Sequence, residues 1–372
     1  MSARESGYAP TLAEVFAARR RLSGHVIRTP LVRSHWLSAA ARADVFLKLE
    51  SLQITNSFKL RGAWNAAAVL LERLSPGERP PALVTASAGN HGRALAYAAE
   101  RLGIRVTVFT PHEAPQTKLE AIARHGAELR AEAVTYEDSE RLAKQFAAAT
   151  GTPYLSPYSH PDLLAGVGTI GLEILEDLPS ADTVVVPVGG GGLISGVAAT
   201  MKAVSPHVEV IGVEAEASHP FTASLAAGHI VQVRVGPTLA DGLAGNMDPE
   251  TVTFDLVRTL VDRIVLVGEE QLAESIRGLV ANEHLIAEGA GAAGVGALLG
   301  GRVDVHGRRV VVLVTGSNID AAKLAEVLSS FPNPGGATST TPGRVLPQPR
   351  AVTTGRAPDT AAPKSRSPRP AR

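Results

Sequence analysis

Hydrophobic and polar positions change rhythm along this chain. Runs rich in β-branched residues predict strands: "ALVTASA" (82–88), "RVTVFTP" (105–111), "TVVVPVG" (183–189), "VEVIGVEA" (208–215) and "RRVVVLVTG" (308–316). Longer segments with apolar residues at helical spacing lie between them, such as "HGRALAYAAERLG" (91–103) and "YEDSERLAKQFAAATG" (136–151). Apolar strands alternating with helices predict an α/β fold, with parallel sheets covered on both faces. Ligands of such sheets bind in the turns at the carboxyl ends of strands.

Composition narrows the function classes. The 372 residues are 45% hydrophobic and 19% charged, which suits a globular protein of two domains. The segment from Asn333 to Arg372 holds seven basic residues and one acidic one, rich in Pro, Ser, Thr and Ala, and it reads as a disordered basic tail. The body before it is mildly acidic, with 29 basic and 35 acidic groups, which argues against a nucleic-acid partner. The chain has no cysteine, so disulfides, thiolate metal sites and thiol nucleophiles are excluded. No apolar run approaches the roughly 20 residues that span a membrane. The opening stretch lacks a signal-peptide core, and cytoplasm is the expected location.

Three turns carry candidate chemistry. In "VVVPVGGGGLISG", Gly189–Gly192 follow a strand at once and precede a helix. Such a bend gathers backbone N–H groups beside a helix N-terminus and suits a phosphate. It lacks the Lys-Ser/Thr of a nucleotide P-loop and is not GxGxxG, so a phosphate monoester fits better than a nucleoside triphosphate. In "TASAGNHGRALA", Ser87-Ala88-Gly89-Asn90 lead into a helix near His91, giving a second anion turn, although Ser87 and Asn90 would also serve as plain helix caps. In "VVVLVTGSNID", Thr315 to Asn318 end a strand, where a hydroxyl can face a site or cap the turn.

Lys59, in "NSFKLRGA", sits at the start of a helix, where its charge opposes the dipole. An amine near two helix N-termini, away from carboxylates and desolvated, is pushed toward its neutral, nucleophilic form. A phosphate cradle, a nucleophilic amine and a carboxylate turn together suit pyridoxal phosphate holding an amino acid.

The set "SFKLRGA" (57–63), "SAGNHGRALA" (87–96), "LLAGVGTIGLEIL" (163–175), "GGGGLISG" (189–196), "EGAGAAGVGALL" (288–299) and "TGSN" (315–318) resembles the fold-type II pyridoxal-phosphate enzymes, whose fold is like that of the tryptophan synthase beta chain. Within them it is similar to the serine/threonine dehydratase and serine racemase family, over roughly residues 10–330. The resemblance implies two α/β domains: a large one from 8–65 and 157–330, and a small inserted one, 66–156, that closes over substrate. It implies that Lys59 bonds the cofactor and moves the Cα proton, Phe58 packs on the ring and Asn90 bonds the phenolic oxygen. Gly189, Gly190, Gly191, Gly192 and Leu193 would hold the phosphate. Ser87, Ala88, Gly89, Asn90 and His91 would hold the substrate carboxylate, and Thr315 would meet the pyridine nitrogen. Relatives usually carry serine at that last position; either hydroxyl makes a milder electron sink than an aspartate partner, which suits β-elimination.

The expected activity is therefore elimination of water from L-threonine or L-serine by a homo-oligomer, with a small amino acid as its partner molecule. Racemases of this family carry a serine where Ala88 stands, so loss of that second base disfavours racemisation. They also bind a divalent cation near the stretch matching "VEAEASHPF" (213–221); Glu214 is kept, but a later acidic ligand is replaced near His219-Pro220, and no metal is expected. Tyr158 and His160 fall where the chain returns to the larger domain and could touch the substrate side chain, although His160 before Pro161 reads rather as a surface turn residue, and Val167 replaces a glutamine common in relatives. No regulatory domain is expected beyond residue 330, hence little feedback by isoleucine. Rival readings are a serine racemase, a hydroxyaspartate dehydratase and a β-replacement enzyme. From other classes come a nicotinamide oxidoreductase using Glu214 and a non-catalytic amino-acid sensor.

Overall fold

The computed structural model describes residues 8–75, 82–330 and the pair 352–353. Its strands are β1 (Leu31–Arg33), β2 (Asp44–Leu49), β3 (Ala82–Ala86), β4 (Arg105–Pro111), β5 (Glu128–Ala133), β6 (Thr183–Pro187), β7 (Glu209–Ala215), β8 (Arg263–Val267), β9 (Arg309–Val314) and β10 (Val352–Thr353). They form two sheets. One has seven strands in the order β1-β2-β9-β6-β7-β8-β10, and the other three in the order β3-β4-β5. Pairing from β2 through β8 is parallel, with antiparallel partners at both edges, and the smaller sheet is parallel throughout.

Central strands are apolar because helices cover both faces. Thr183–Pro187 is buried along its whole length, as are Val310–Val314. Each buried Val or Leu side chain contributes about 1.5–3 kcal/mol. β10 lies within the segment read as a disordered tail; the rest of 333–372 falls outside the described residues. The sequence pattern missed β1, β2, β5 and β8. In β2 the alternation is masked because Lys48 is buried, and β5, "ELRAEA", is largely polar.

Two devices fix the helix Lys59–Glu72 that carries the lysine. The first is glycine packing. A Cβ on Gly62 would come within 2.6 Å of Leu163, and one on Gly166 within 2.5 Å of the Arg61 carbonyl, so this helix lies directly on the helix Pro161–Asp177. That helix in turn meets Gly192–Val204, with Gly168 and Gly171 against Thr200 and Gly196 against the Leu164 carbonyl. The second is a buried ionic cluster. Arg61, 1% exposed, grips both oxygens of Glu50 at 2.8 and 2.9 Å and those of Glu173 at 2.7 and 2.9 Å. Lys48 completes it, donating to Glu173 Oε2 at 2.6 Å and to the Thr29 carbonyl at 2.7 Å. Burial opposes the Arg61 charge, but Glu50 and Glu173 outweigh it and push its pKa above the ordinary value. Two cations and two carboxylates balance, as a buried cluster requires.

Candidate active site

The two sheets meet at a cavity of about 680 Å³. It is lined by Phe58, Lys59, the Ser87–His91 turn, the Gly189–Leu193 bend, Tyr158 and Thr315 among others, so every cofactor and substrate residue named from the sequence borders one space. Three strand ends supply them: β3 leads to Ser87, β6 to Gly189 and β9 to Thr315.

Lys59 is the first residue of its helix, and Phe58 at the N-cap has helical angles and no side-chain capping bond. Its Nζ donates to the Pro157 carbonyl at 2.9 Å and lies 5.2 Å from the Phe58 ring centroid. Burial lowers its pKa to about 8, with Glu288 opposing that shift. The expectation of an amine away from carboxylates is therefore corrected: Glu288 stands near enough to act on it. Glu288 is itself buried, which pushes its carboxyl up to about 7, with Asp241 adding to the rise. Its Oε1 accepts from Asn90 Nδ2 at 2.6 Å. The residue opens the glycine- and alanine-rich helix Gly289–Leu299, and its signal in the sequence was a lone carboxylate heading an apolar helix.

The tetraglycine bend is shaped by what presses on it. A Cβ on Gly190 would lie 2.3 Å from Tyr158 Cγ, and one on Gly192 would lie 2.6 Å from the Tyr158 carbonyl. Gly191 caps the helix Gly192–Val204 at φ +82°, a left-handed conformation that favours glycine, with Phe221 closing over it. Thr253 Oγ1 donates to the Gly190 carbonyl at 2.8 Å. Chain neighbours thus crowd the outer side of the bend, while the first turn of the helix leaves N–H groups without intrahelical partners.

In the second turn the plain capping alternative does not hold. Gly89 is the N-cap of the helix Asn90–Leu102 and no side chain caps it. Ser87 Oγ accepts from the Gly89 N–H at 3.2 Å, and the Asn90 side chain reaches across to Glu288 and Asn318 instead. His91 is 2% exposed, and neither ring nitrogen has a hydrogen-bond partner. Burial, with Lys59 nearby, holds its pKa well below the usual histidine value. Thr315 is buried, and its hydroxyl makes one long bond, 3.4 Å, to the Ala290 carbonyl.

The remaining sequence readings sort as follows. Tyr158 is buried against the glycine bend, and its hydroxyl accepts from the Asp248 N–H at 2.9 Å. His160 is the N-cap of Pro161–Asp177, its Nδ1 accepting from the Asp162 N–H, rather than a mere surface turn residue. Val167 is fully buried against the Gly192–Val204 helix. Glu214 accepts from the Phe221 and Thr222 N–H groups at 2.8 Å each and from Thr222 Oγ1 at 2.7 Å. Burial pushes it up to about 7. Both its oxygens are committed, so it is not available to a ribose, which removes the nicotinamide reading. Among the described residues no cluster of three or more His, Asp or Glu could hold a metal, and no helix is long and apolar enough to cross a membrane.

A lysine whose pKa is lowered to about 8, sharing with a glycine-rich anion seat a cleft between two mainly parallel sheets, defines an α/β enzyme built for an aldehyde cofactor bearing a phosphate. Comparison with known proteins agrees: residues 22–316 match the family model described as pyridoxal-phosphate dependent enzyme, and the chain belongs to that family. It is 42% identical over 319 residues to the L-threonine ammonia-lyase of Thermotoga maritima, spanning 86% of this chain and 78% of that one. Among solved structures it is similar to the T.th. threonine deaminase, with TM-score 0.75 and 36% identity over 84% of this chain and 99% of the other. It also resembles maize serine racemase, with TM-score 0.79 and 31% identity over 87% and 98%.

The residues present fit pyridoxal phosphate. The bend has no room for a side chain, the amine is partly buried with its pKa lowered to about 8, and Thr315 and Asn90 offer hydrogen-bonding groups on the same cavity. Gly190→Ala tests the seat. The added methyl must displace the Tyr158 ring, whose hydroxyl is tethered to Asp248. Such overpacking costs about 1–3 kcal/mol, expected as a roughly tenfold or greater weakening of pyridoxal phosphate binding by absorbance titration. Unchanged affinity would place the phosphate elsewhere.

Proposed function

We propose that the enzyme is an L-threonine/L-serine ammonia-lyase, releasing ammonia and 2-oxobutanoate or pyruvate. The observation that carries this reading is the position of Lys59: a partly buried amine, its pKa lowered to about 8, in one cavity with the glycine bend and the Ser87–His91 turn. The likeness to the L-threonine ammonia-lyase of Thermotoga maritima supports the substrate class.

Bound pyridoxal phosphate supplies the electron sink that makes the α-proton of an amino acid removable. The backbone N–H groups of Gly189–Gly192 and Leu193 hold the phosphate. Those of the Ser87–His91 turn hold the substrate carboxylate. Phe58 would pack beside the ring, Asn90 would donate to its oxygen, and Thr315 would offer a hydroxyl to its nitrogen. Lys59 takes the α-proton as a general base and returns a proton to the departing β-hydroxyl. The unsaturated amine that leaves hydrolyses in water to the 2-oxo acid and ammonia. Residues 66–156, which carry the three-stranded sheet, act as the smaller domain closing on 8–65 and 157–330.

Pro111, Ala114 and Ala121 also border the cavity, beside Thr117 and Lys118. Of the cations on the same cavity, Lys118 pairs with Asp241 and Arg93 donates one N–H to Asn318. Ala88 offers no proton to the opposite face. A panel of 3-hydroxy amino acids assayed for ammonia and 2-oxo acid tests the reading. Threonine and serine should be turned over, and pyruvate should form from L-serine faster than D-serine does. Faster racemisation, or preference for hydroxyaspartate, overturns it, and binding without turnover returns the sensor reading.

A further inference from the structure

Asn90 is joined to three other side chains in a row. Arg93 Nη1 donates to Asn318 Oδ1 at 2.5 Å, Asn318 Nδ2 donates to Asn90 Oδ1 at 2.6 Å, and Asn90 Nδ2 donates to Glu288 Oε1 at 2.6 Å. Arg93 and Asn90 belong to the helix Asn90–Leu102, whereas Asn318 follows β9 and Glu288 heads the helix Gly289–Leu299. The row therefore crosses the cleft between the two sheets.

An asparagine amide is nearly symmetric in shape, so its partners decide which end is which. Arg93 can only donate, and it demands the oxygen of Asn318. The Thr55 carbonyl can only accept, and it takes an N–H from Asn318 Nδ2 at 3.0 Å. Asn56 Nδ2 reinforces this, donating to Asn318 Oδ1 at 3.3 Å. With Asn318 so fixed, its other N–H points to Asn90, which must answer with its oxygen. The Asn90 nitrogen then faces Glu288, which accepts in either protonation state through its unprotonated oxygen. One Asn90 N–H is left uncommitted, on a residue that lines the cavity.

We infer that Arg93, Asn318 and Glu288 are positioning residues that lock the Asn90 amide with its N–H end, not its carbonyl, available to the anionic ring oxygen of the cofactor. This rests on the pyridoxal-phosphate reading of the cavity. A donor to that oxygen favours its charged form and lowers the pH at which the chromophore loses its proton. Polarity at the ring is thus set in part from Arg93, a residue that need not touch the cofactor, together with the Thr55 carbonyl. The Asn90 contacts to Asn318 and Glu288 span the cleft, so the lock is complete only when the two sheets are together.

Asn318→Asp tests the inference by reversing polarity. The carboxylate still accepts from Arg93, but it now presents an acceptor to Asn90. Asn90 must turn its N–H end to Asp and its carbonyl toward Glu288 and the cavity. In the protein loaded with pyridoxal phosphate, the pH midpoint of the visible band should rise by about one unit, and the cofactor dissociation constant should increase roughly tenfold. Should Asn318→Asp fail to fold, Arg93→Met removes the obligate donor and should shift the midpoint in the same direction by less. Arg93→Lys keeps a donor and should restore the parent value, which loss of packing alone would not produce. A parent protein that forms no band overturns the cofactor reading and the relay with it. A parent with the band and variants with an unmoved midpoint overturn the relay alone.

Discussion

Lys59→Ala protein is expected to be colourless after incubation with pyridoxal phosphate and to release ammonia from threonine slower by roughly a thousandfold or more. The size follows from the loss of two roles at once, anchoring the cofactor and carrying the α-proton. The neighbouring groups are poor substitutes: His91 is buried with its pKa well below the usual value, and Glu288, whose Oε1 is held by Asn90, is a carboxyl that cannot bond the aldehyde. The parent has a matching pH signature. Burial lowers the Lys59 pKa to about 8, so capture of the aldehyde should accelerate as pH rises through that value and then level off once the amine is neutral. Stopped-flow absorbance of the cofactor-free protein mixed with pyridoxal phosphate measures it. A visible band in the alanine variant, or turnover within about tenfold of the parent, removes Lys59 from its role.

Arg61→Met should be the most damaging substitution for stability. It keeps much of the side-chain volume but removes the guanidinium that both Glu50 and Glu173 face. Lys48 reaches only Glu173, so Glu50 is left with the Thr29 hydroxyl as its remaining side-chain partner. Breaking one side of such a buried group costs about 3–5 kcal/mol. Urea unfolding measures it, and pairing the change with Glu50→Gln should recover part of the loss, because the stranded charge is then gone. A loss below about 1 kcal/mol would mean that water reaches the cluster and screens it. Arg61 lies two residues beyond Lys59 on the same helix, so the damage should extend to cofactor capture.

What could be read from the sequence depended on locality. β3, β4, β6 and β9 announced themselves as short apolar runs rich in Val and Thr, and their ends were placed within a residue or two. The glycine bend and the Ser87–His91 turn were legible because backbone geometry is written in consecutive residues. β2 was not, since Lys48 interrupts its apolar run and is buried only because Glu173 lies opposite it in space. Glu288 escaped notice as a member of the site for the same reason: its partner Asn90 is 198 positions away. Asn318 was seen as a turn residue, but its orienting contacts, to Thr55, Asn90 and Arg93, need the assembled fold. Pairings between distant charges leave no periodicity to detect.

The helix crossings at Gly62, Gly166, Gly168, Gly171 and Gly196 act as spacers of zero thickness. They run in series from the segment bearing the amine to the segment bearing the phosphate seat, so the reach between those two groups is metered by hydrogens where side chains would otherwise stand. A methyl added at any one of them would lengthen the ruler, and an enzyme of this build can drift freely over its surface while its gauge remains fixed.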